Sequence, residues 1–163
     1  MARELAREGV HRVLSRVVEG GFPTLVVVLD AEELPEERIA ELLSSGRVRR
    51  LYIFKGIICS GGDYCSEFTC ELLDCSAAEE LAELLERDDV ILIVIHYGRE
   101  RDCTLRYAIV AAEVEGGREE ALEELQRELG GRRGVRLAIR RDELASDIMW
   151  FIRNQYEFNC MEK

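Results

Sequence analysis

The chain has 163 residues, of which 47% are hydrophobic and 34% are charged, and its formal net charge is -11. This length fits one domain with its own buried core, and the apolar fraction is too high for a disordered chain. No apolar run reaches the roughly 20 residues of a membrane-spanning helix, and the acidic balance opposes non-specific binding to nucleic acid or anionic lipid.

The N-terminal residues carry charges every few positions and lack the continuous apolar core of a signal peptide, so we expect a cytoplasmic protein. The chain has two lysines, Lys55 and Lys163, among many arginines, and Asn and Gln are scarce beside abundant glutamate. This composition is typical of thermophilic proteins. Because intracellular disulfides occur in hyperthermophiles, the six cysteines cannot be assumed to be reduced.

Hydrophobic periodicity predicts a helix followed by a βα unit at the start of the chain. Apolar residues at helical spacing indicate an amphipathic helix over 2–19, which ends at two glycines. The stretch TLVVVLD (24–30) is apolar on both faces, as in a strand that is covered on both sides. A short helix is predicted after Pro35.

Two similar segments follow. The first is a predicted β-hairpin from residue 49 with a turn at SGGD, then a Leu/Glu-rich helix near Ser76, which with Glu79 has the spacing of a capping box. In the second, VILIVIHY (90–97) is again apolar on both faces and predicts a hairpin with TLRYAIVAAEVE, before another Leu/Glu-rich helix. The segments, about 49–88 and 90–129, are either a tandem ββα duplication or a chance similarity.

A last strand, VRLAIRR, and a last helix complete the predicted element order α-β-α-β-β-α-β-β-α-β-α. The sequence therefore predicts a single α/β domain over 1–163. We expect a mixed parallel and antiparallel sheet of about six strands, with helices packed on both faces.

Polar residues end two of the apolar strands. If the strands that begin at 24, 49 and 90 run parallel, their carboxyl ends share one edge of the sheet, where ligands bind in open α/β folds. Asp30 and His96 lie at that edge, and a carboxylate and an imidazole can act there as acid, base or metal ligand. The structural interpretation is that Asp30 starts the following turn and that His96 is a hydrogen-bonded structural residue.

Further candidate ligand-binding residues lie at the same edge, and they are Tyr97, Arg99, Arg101 and Asp63. Charged residues at a hairpin tip are ordinarily only solvated. Five arginines between Arg132 and Arg141 similarly indicate either a solvated turn and strand or an anion-binding patch.

Four of the six cysteines fall within 17 residues, with the spacing C-x5-C-x4-C-x4-C. This spacing lacks the C-x2-C pair of a zinc finger. A three-residue turn would set Cys59 opposite Cys65 and allow a disulfide, whereas a two-residue turn would separate them. The specific metal hypothesis is a cluster of Cys59, Cys65, His96 and Cys103. Disulfides or structural thiols, a metal site and thiol chemistry all stay open, and Cys75 is a further candidate for a reactive thiol because it precedes a helix.

No complete catalytic or cofactor motif is found: the dinucleotide and P-loop glycine patterns follow none of the strands, and G-x-S-x-G and H-E-x-x-H are missing. We therefore predict a domain that binds a small molecule or a protein partner at the carboxyl edge of its sheet. No cofactor is identified, and a homo-oligomer stays open. One alternative is a phosphoester-directed hydrolase or nuclease that uses Asp30 and His96. The other is a metal-binding or thiol redox protein that uses Cys59, Cys65 and Cys103, and the sequence does not decide whether the protein is an enzyme.

Overall fold

The computed structural model describes residues 2–20, 22–31, 36–44, 46–61, 68–71, 73–97, 104–137 and 141–161. Within these residues the strands are β1 (Thr24–Leu29), β2 (Val48–Gly61), β3 (Phe68–Glu71), β4 (Val90–Tyr97), β5 (Thr104–Val114) and β6 (Val135–Leu137). The helices are α1 (Ala2–Val18), α2 (Glu36–Leu42), α3 (Cys75–Leu85), α4 (Arg118–Leu129) and α5 (Arg141–Tyr156), and α5 continues into a π-helical segment, Glu157–Met161. The order of elements along the chain is the predicted one.

All six strands form one mixed sheet in the order β3-β2-β5-β4-β1-β6. β1 and β4 are parallel neighbours, and β5 is antiparallel to both β2 and β4. β1, β2 and β4 therefore run in the same direction, which confirms the predicted common edge for their carboxyl ends. The two predicted hairpins, β2–β3 and β4–β5, are also confirmed.

Helices cover both faces of the sheet, as the apolar patterns of β1 and β4 predict. The α1 face carries α1, α3 and α5, and its core includes Val26, Leu92 and Ile109. The α2 face carries α2 and α4, and its core includes Leu25 and Ile93. Each fully buried Leu or Ile contributes roughly 1.5–3 kcal/mol of stability. Among the residues that the structure describes, no helix is long and apolar enough to cross a membrane.

The helices of the two predicted ββα units lie on opposite faces, since α3 packs in the core of the α1 face and α4 in the core of the α2 face. The duplication itself stays a prediction.

The start of α3 differs from its prediction. Asp74 is the N-cap, because its carboxylate accepts a hydrogen bond from the Ala77 N–H at 2.8 Å. Cys75 and Ser76 therefore lie inside the first turn, and the predicted capping box of Ser76 and Glu79 is wrong. Glu79 instead accepts a hydrogen bond from the Tyr156 hydroxyl at 3.2 Å, which joins α3 to α5.

An ion network surrounds the start of β4. The Arg87 guanidinium donates to both carboxylate oxygens of Asp89, at 3.0 and 2.7 Å, and also contacts Glu113 of β5. Arg49 of β2 donates to Asp89 at 3.0 Å. The hydrogen bond from Arg87 is the main reason that the pKa of Asp89 lies below its ordinary value. The network therefore links β2, β5 and the start of β4 at the end of the sheet opposite to the carboxyl edge.

Candidate functional site

Asp30 and His96 lie at the same edge of the sheet. His96 of β4 is opposite Val28 of β1. The N–H of Asp30 donates to the carbonyl of Gly134 at 2.9 Å, so Asp30 extends the pairing of β1 with β6 by one step. Strand spacings of about 4.8 Å across the sheet and 3.3 Å per residue place the Cα atoms of Asp30 and His96 about 8 Å apart. The register of the strands thus brings Asp30 and His96 close together.

The strand pairings align one row of residues across five strands, and the row is Arg136, Val28, His96, Tyr107 and Ile57. Paired residues of a sheet share a face, and Tyr107 and Ile57 belong to the core of the α1 face. Arg136 and His96 therefore flank Val28 on the α1 face, with their Cα atoms about 10 Å apart. We call these three residues and Asp30 the edge cluster.

A stacked aromatic ring positions His96. The imidazole lies nearly parallel to the ring of Tyr107, with the ring centroids 4.9 Å apart and the ring planes at 20°. Tyr107 is buried, and His96 is partly exposed as a residue, although its Nε2 atom is inaccessible to solvent. Stacking on a buried ring restricts the rotamers of the imidazole.

Asp30 and Arg136 line one depression of about 410 Å³, together with Val28 and the loop that precedes β6. Both charged residues are exposed. The loop is held by Arg38, which donates to the carbonyl of Arg133 at 2.8 Å. Gly134 in this loop has a φ of 76°, and a Cβ atom there would lie 2.9 Å from the Arg38 guanidinium. Glycine is therefore favoured where the chain turns into β6 beside Asp30.

Two other depressions are larger than the one beside Asp30. One of about 590 Å³ lies between α1 and α3, and one of about 650 Å³ lies beside β3 and the end of α5. Among the predicted site residues, Cys75 lines the first of these two depressions. Asp30 lines neither of them, and His96, although it is a described residue, lines none of the three. The depression at the carboxyl edge is thus the smallest of the three, and it is the one that Asp30 and Arg136 line.

Tyr97 lies on the other face of the sheet. Its side chain is 8% exposed and belongs to the core of the α2 face. Burial raises the pKa of Tyr97, and the positive charge of Arg106, the residue opposite on β5, acts in the opposite direction. Tyr97 therefore stays a neutral phenol at pH 7 and does not share a face with the edge cluster. The other predicted binding residues, Asp63, Arg99 and Arg101, lie outside the described residues.

The predicted disulfide between Cys59 and Cys65 is wrong, because Cys59 is bonded to Cys70. The β2–β3 ladder ends with Gly61 opposite Phe68, which puts Cys59 opposite Cys70. The prediction assumes a turn of two or three residues between the strands, and the ladder instead leaves six residues between Gly61 and Phe68. Cys65 itself lies outside the described residues.

This disulfide also bears on the metal hypothesis. The Cys59 sulfur is used in a disulfide and is not a thiolate ligand beside His96. Cys103, like Cys65, is outside the described residues. In the described ranges, no group of three or more His, Cys, Asp or Glu side chains could hold a metal ion.

A second disulfide joins Cys75, the first residue of α3, to Cys160 in the π-helical segment, 85 positions further along the chain. Cys75, a candidate reactive thiol on the evidence of the sequence, is thus a bridged residue. The disulfide fixes the π-helical segment to α3, close to the hydrogen bond between Glu79 and Tyr156.

Two residues of this region, Arg136 and Tyr107, cannot be assigned to the site from the sequence alone. Arg136 belongs to an arginine-rich stretch, and only the alternation of Val135, Arg136 and Leu137 indicates that it faces away from its neighbours. The sequence does not show that β6 pairs with β1, and without that pairing Arg136 has no relation to Asp30. Tyr107 lies within a long strand, where no local signal marks it as the partner of an imidazole.

The sheet order and the helices on both faces define a mixed α/β protein with a polar cluster at the carboxyl edge. No protein-family model matches the chain, and neither does any curated protein sequence.

Proposed function

We propose that the protein binds a small polar molecule with an anionic group, and that this ligand occupies the edge cluster. The observation that carries the proposal is the register that sets Arg136 and His96 on either side of Val28, with Asp30 two residues further along β1. A cation, a carboxylate and an imidazole thus surround one partly exposed aliphatic side chain.

Each polar member has a separate chemical task in this proposal. The Arg136 guanidinium offers paired N–H donors to a phosphate or carboxylate group. The Asp30 carboxylate accepts hydrogen bonds from hydroxyl or amino groups of the ligand. Because the Nε2 atom of His96 is inaccessible to solvent, its imidazole, held on Tyr107, would meet the ligand through Nδ1, which can donate or accept. Cα separations of about 8 to 10 Å suit a molecule of the size of a sugar phosphate.

A phosphoester-directed enzyme is the second candidate function. The observation that favours it is that Arg136 lines the same depression as Asp30. In that case Arg136 would bind the phosphoryl group, and Asp30 or His96 would act on water as the general base. The two candidates share a ligand class and differ in whether the ester bond is broken.

The test uses the fact that the chain has only two histidines, His11 and His96. His11 lies on α1 with its Nε2 atom 3.4 Å from Glu157, so it is the internal control. Proton NMR signals of the two imidazoles, assigned with H11Q and H96Q, are followed at constant pH while inorganic phosphate, ribose or ribose 5-phosphate is added. Ribose 5-phosphate is expected to shift the His96 signals saturably, phosphate more weakly, and neither should shift those of His11.

Matched variants then test the charged members. D30N and R136Q should each weaken binding of ribose 5-phosphate roughly tenfold, since a charge-assisted hydrogen bond contributes about 1.5 kcal/mol or more. R132Q removes an exposed arginine that does not line the depression and should bind as the wild type does. Equal weakening in R132Q, or no saturable shift of His96 with any probe, would refute the proposal. Release of inorganic phosphate from the bound sugar phosphate would establish the enzyme instead.

A further inference from the structure

The end of α5 and the π-helical segment expose three aromatic side chains to solvent. Trp150 is 44% exposed, Phe151 is 37% exposed and Phe158 is 70% exposed, and these are the exposed large hydrophobic residues of the described chain. Trp150 and Phe151 contact each other edge to face, with centroids 5.1 Å apart. Because the opposite side of α5 packs in the core of the α1 face through Met149 and Ile152, the exposed aromatic side chains are not needed to anchor the helix.

These aromatic residues belong to an uncharged stripe. Its members recur at helical spacing, and they are Trp150, Phe151, Asn154, Gln155, Phe158 and Asn159. A third of the chain is charged, yet none of these residues is. The charges that border them include Asp147, one turn before Trp150, and the exposed Glu157, one turn after Asn154, which lies 3.4 Å from His11. The stripe also contains the single Trp, both Asn and one of the two Gln residues of the sequence. Exposed aromatic residues among neutral amides are typical of the centre of a protein–protein interface.

We propose that this neutral stripe is the surface on which a second copy of the chain docks. Trp150 and Phe158 lie four positions before and four positions after Asn154. Two antiparallel copies related by a two-fold axis at Asn154 would therefore place Trp150 against Phe158 of the partner subunit, and the reverse contact follows by symmetry. Trp150 and Phe158 are separated by about 12 Å along the helix, so both contacts form at once.

The residue at the axis suits this arrangement. A carboxamide has both donors and an acceptor, so Asn154 can pair with its own symmetry mate. A charged residue at the same position would face an identical charge. Gln155 already accepts a hydrogen bond from Asn159, which orders the amides beside the axis.

Charge determines which surface two copies can share. Each copy has a formal charge of -11, and the exposed sides of α3 and α4 carry glutamates such as Glu80, Glu83, Glu119 and Glu123. Two copies that met through those helices would bring like charges together at a cost, whereas the stripe is neutral.

The exposed area is consistent with an interface centre. The three aromatic side chains expose about 300 Å² on each copy, so a symmetrical pair covers about 600 Å² of aromatic surface. A specific interface buries at least about 1,200 Å² in total, and the amides and adjoining turns of the helix supply the remainder. The dimer should accordingly dissociate on dilution.

The test is sedimentation equilibrium of the full chain over a broad concentration range. The wild type should change with concentration from 18.6 kDa to twice that mass. The emission of the single Trp should move to shorter wavelength over the same range as Trp150 becomes buried. F158E should stay monomeric, with unchanged thermal unfolding because the side chain is exposed. R127E, at an exposed position of α4, is the control for added negative charge, because it changes the net charge more than F158E does. It should dimerise as the wild type does.

N154D tests the position of the axis. It should be monomeric at pH 7, where two carboxylates would face each other, and should dimerise again below the ordinary carboxyl pKa of about 4, with the wild type at the same pH as the control. A wild type that is monomeric at every concentration would overturn the proposal and leave the stripe to a different partner. A dimer that survives F158E would place the interface elsewhere, and a dimer unaffected by N154D would remove the two-fold axis from Asn154.

Discussion

Removal of the disulfide between Cys75 and Cys160 should cost more stability than removal of that between Cys59 and Cys70. The first joins residues 85 positions apart, and the second joins residues 11 positions apart. If a disulfide acts by restricting the unfolded chain, the loop-closure relation assigns about 4.5 kcal/mol to the long loop and about 2.8 kcal/mol to the short one. The expected difference is therefore roughly 2 kcal/mol at 25 °C.

Two double variants measure this difference, C75A/C160A and C59A/C70A. Each pair contains one buried cysteine, Cys160 in the first and Cys59 in the second, so the loss of packing is similar in both. The free energy of unfolding is obtained from guanidinium titrations at pH 7, and the slopes are compared to verify that the same surface is exposed on unfolding. Alanine is chosen so that no new thiol is introduced.

Equal losses in the two variants, or a larger loss for C59A/C70A, would contradict the loop-closure reasoning. Peptide mapping without reductant is the companion measurement. It should recover Cys59 linked to Cys70 and Cys75 linked to Cys160, and a peptide that links Cys59 to Cys65 would contradict the register of β2 with β3.

Two further variants test charge and burial. Hydrogen bonding to Arg87 lowers the pKa of Asp89 in the folded protein. The contribution of Asp89 to stability is therefore present at pH values above the ordinary carboxyl pKa, and it is lost as the pH falls through the lowered pKa. In urea titrations, D89N should therefore lower the free energy of unfolding by about 1 kcal/mol at pH 7, because the pair of Arg87 and Asp89 is partly exposed and screened. The loss should be much smaller at pH 2, and an equal loss at both pH values would contradict this assignment. Burial and the neighbouring charge of Glu79 raise the pKa of Tyr156 to about 12. As the pH rises, the unfolded state therefore loses the phenol proton before the folded state does, and stability falls between the ordinary phenol pKa and about pH 12. Y156F should show a shallower alkaline loss in thermal unfolding, and a loss as steep as that of the wild type would count against it.

The element order can be predicted because it rests on local signals. Residues 24–30 and 90–97 are apolar on both faces, which occurs when helices cover both sides of a strand, and neither β1 nor β4 is an outermost strand of the sheet. The parallel direction of β1, β2 and β4 follows from the helix crossovers. These features depend on short stretches of sequence and on chain connectivity alone.

Register cannot be predicted in the same way, because it depends on contacts between strands. The glycines after Ser60 are a turn signal, yet β2 remains paired as far as Gly61, opposite Phe68. This extension selects Cys70 as the partner of Cys59. The cap of α3 is ambiguous for a related reason, since Asp74 and Ser76 both suit a cap and only the structure shows which one accepts the N–H of Ala77.

At the candidate site, the order of the strands is the feature that the sequence does not predict. Asp30 and His96 are recognisable in the sequence because each follows an apolar run, and the pairing of Val28 with His96 places them at one edge. Arg136 joins them only because β6 returns antiparallel to β1, opposite Val28. Nothing in the local sequence of β6 encodes that return, because a short strand with an arginine between two aliphatic residues fits either side of a sheet.

The two sides of α5 bear on different proposals. Its inner side packs in the core of the α1 face through Met149 and Ile152, on the face of the sheet to which His96 belongs. Its outer side carries Trp150 and Phe158, which are exposed. A substitution such as F158E therefore removes docking without changing any residue of the edge cluster. Ligand binding by a monomeric F158E variant would show that the edge cluster works without a second copy, so either proposal can fail while the other stands.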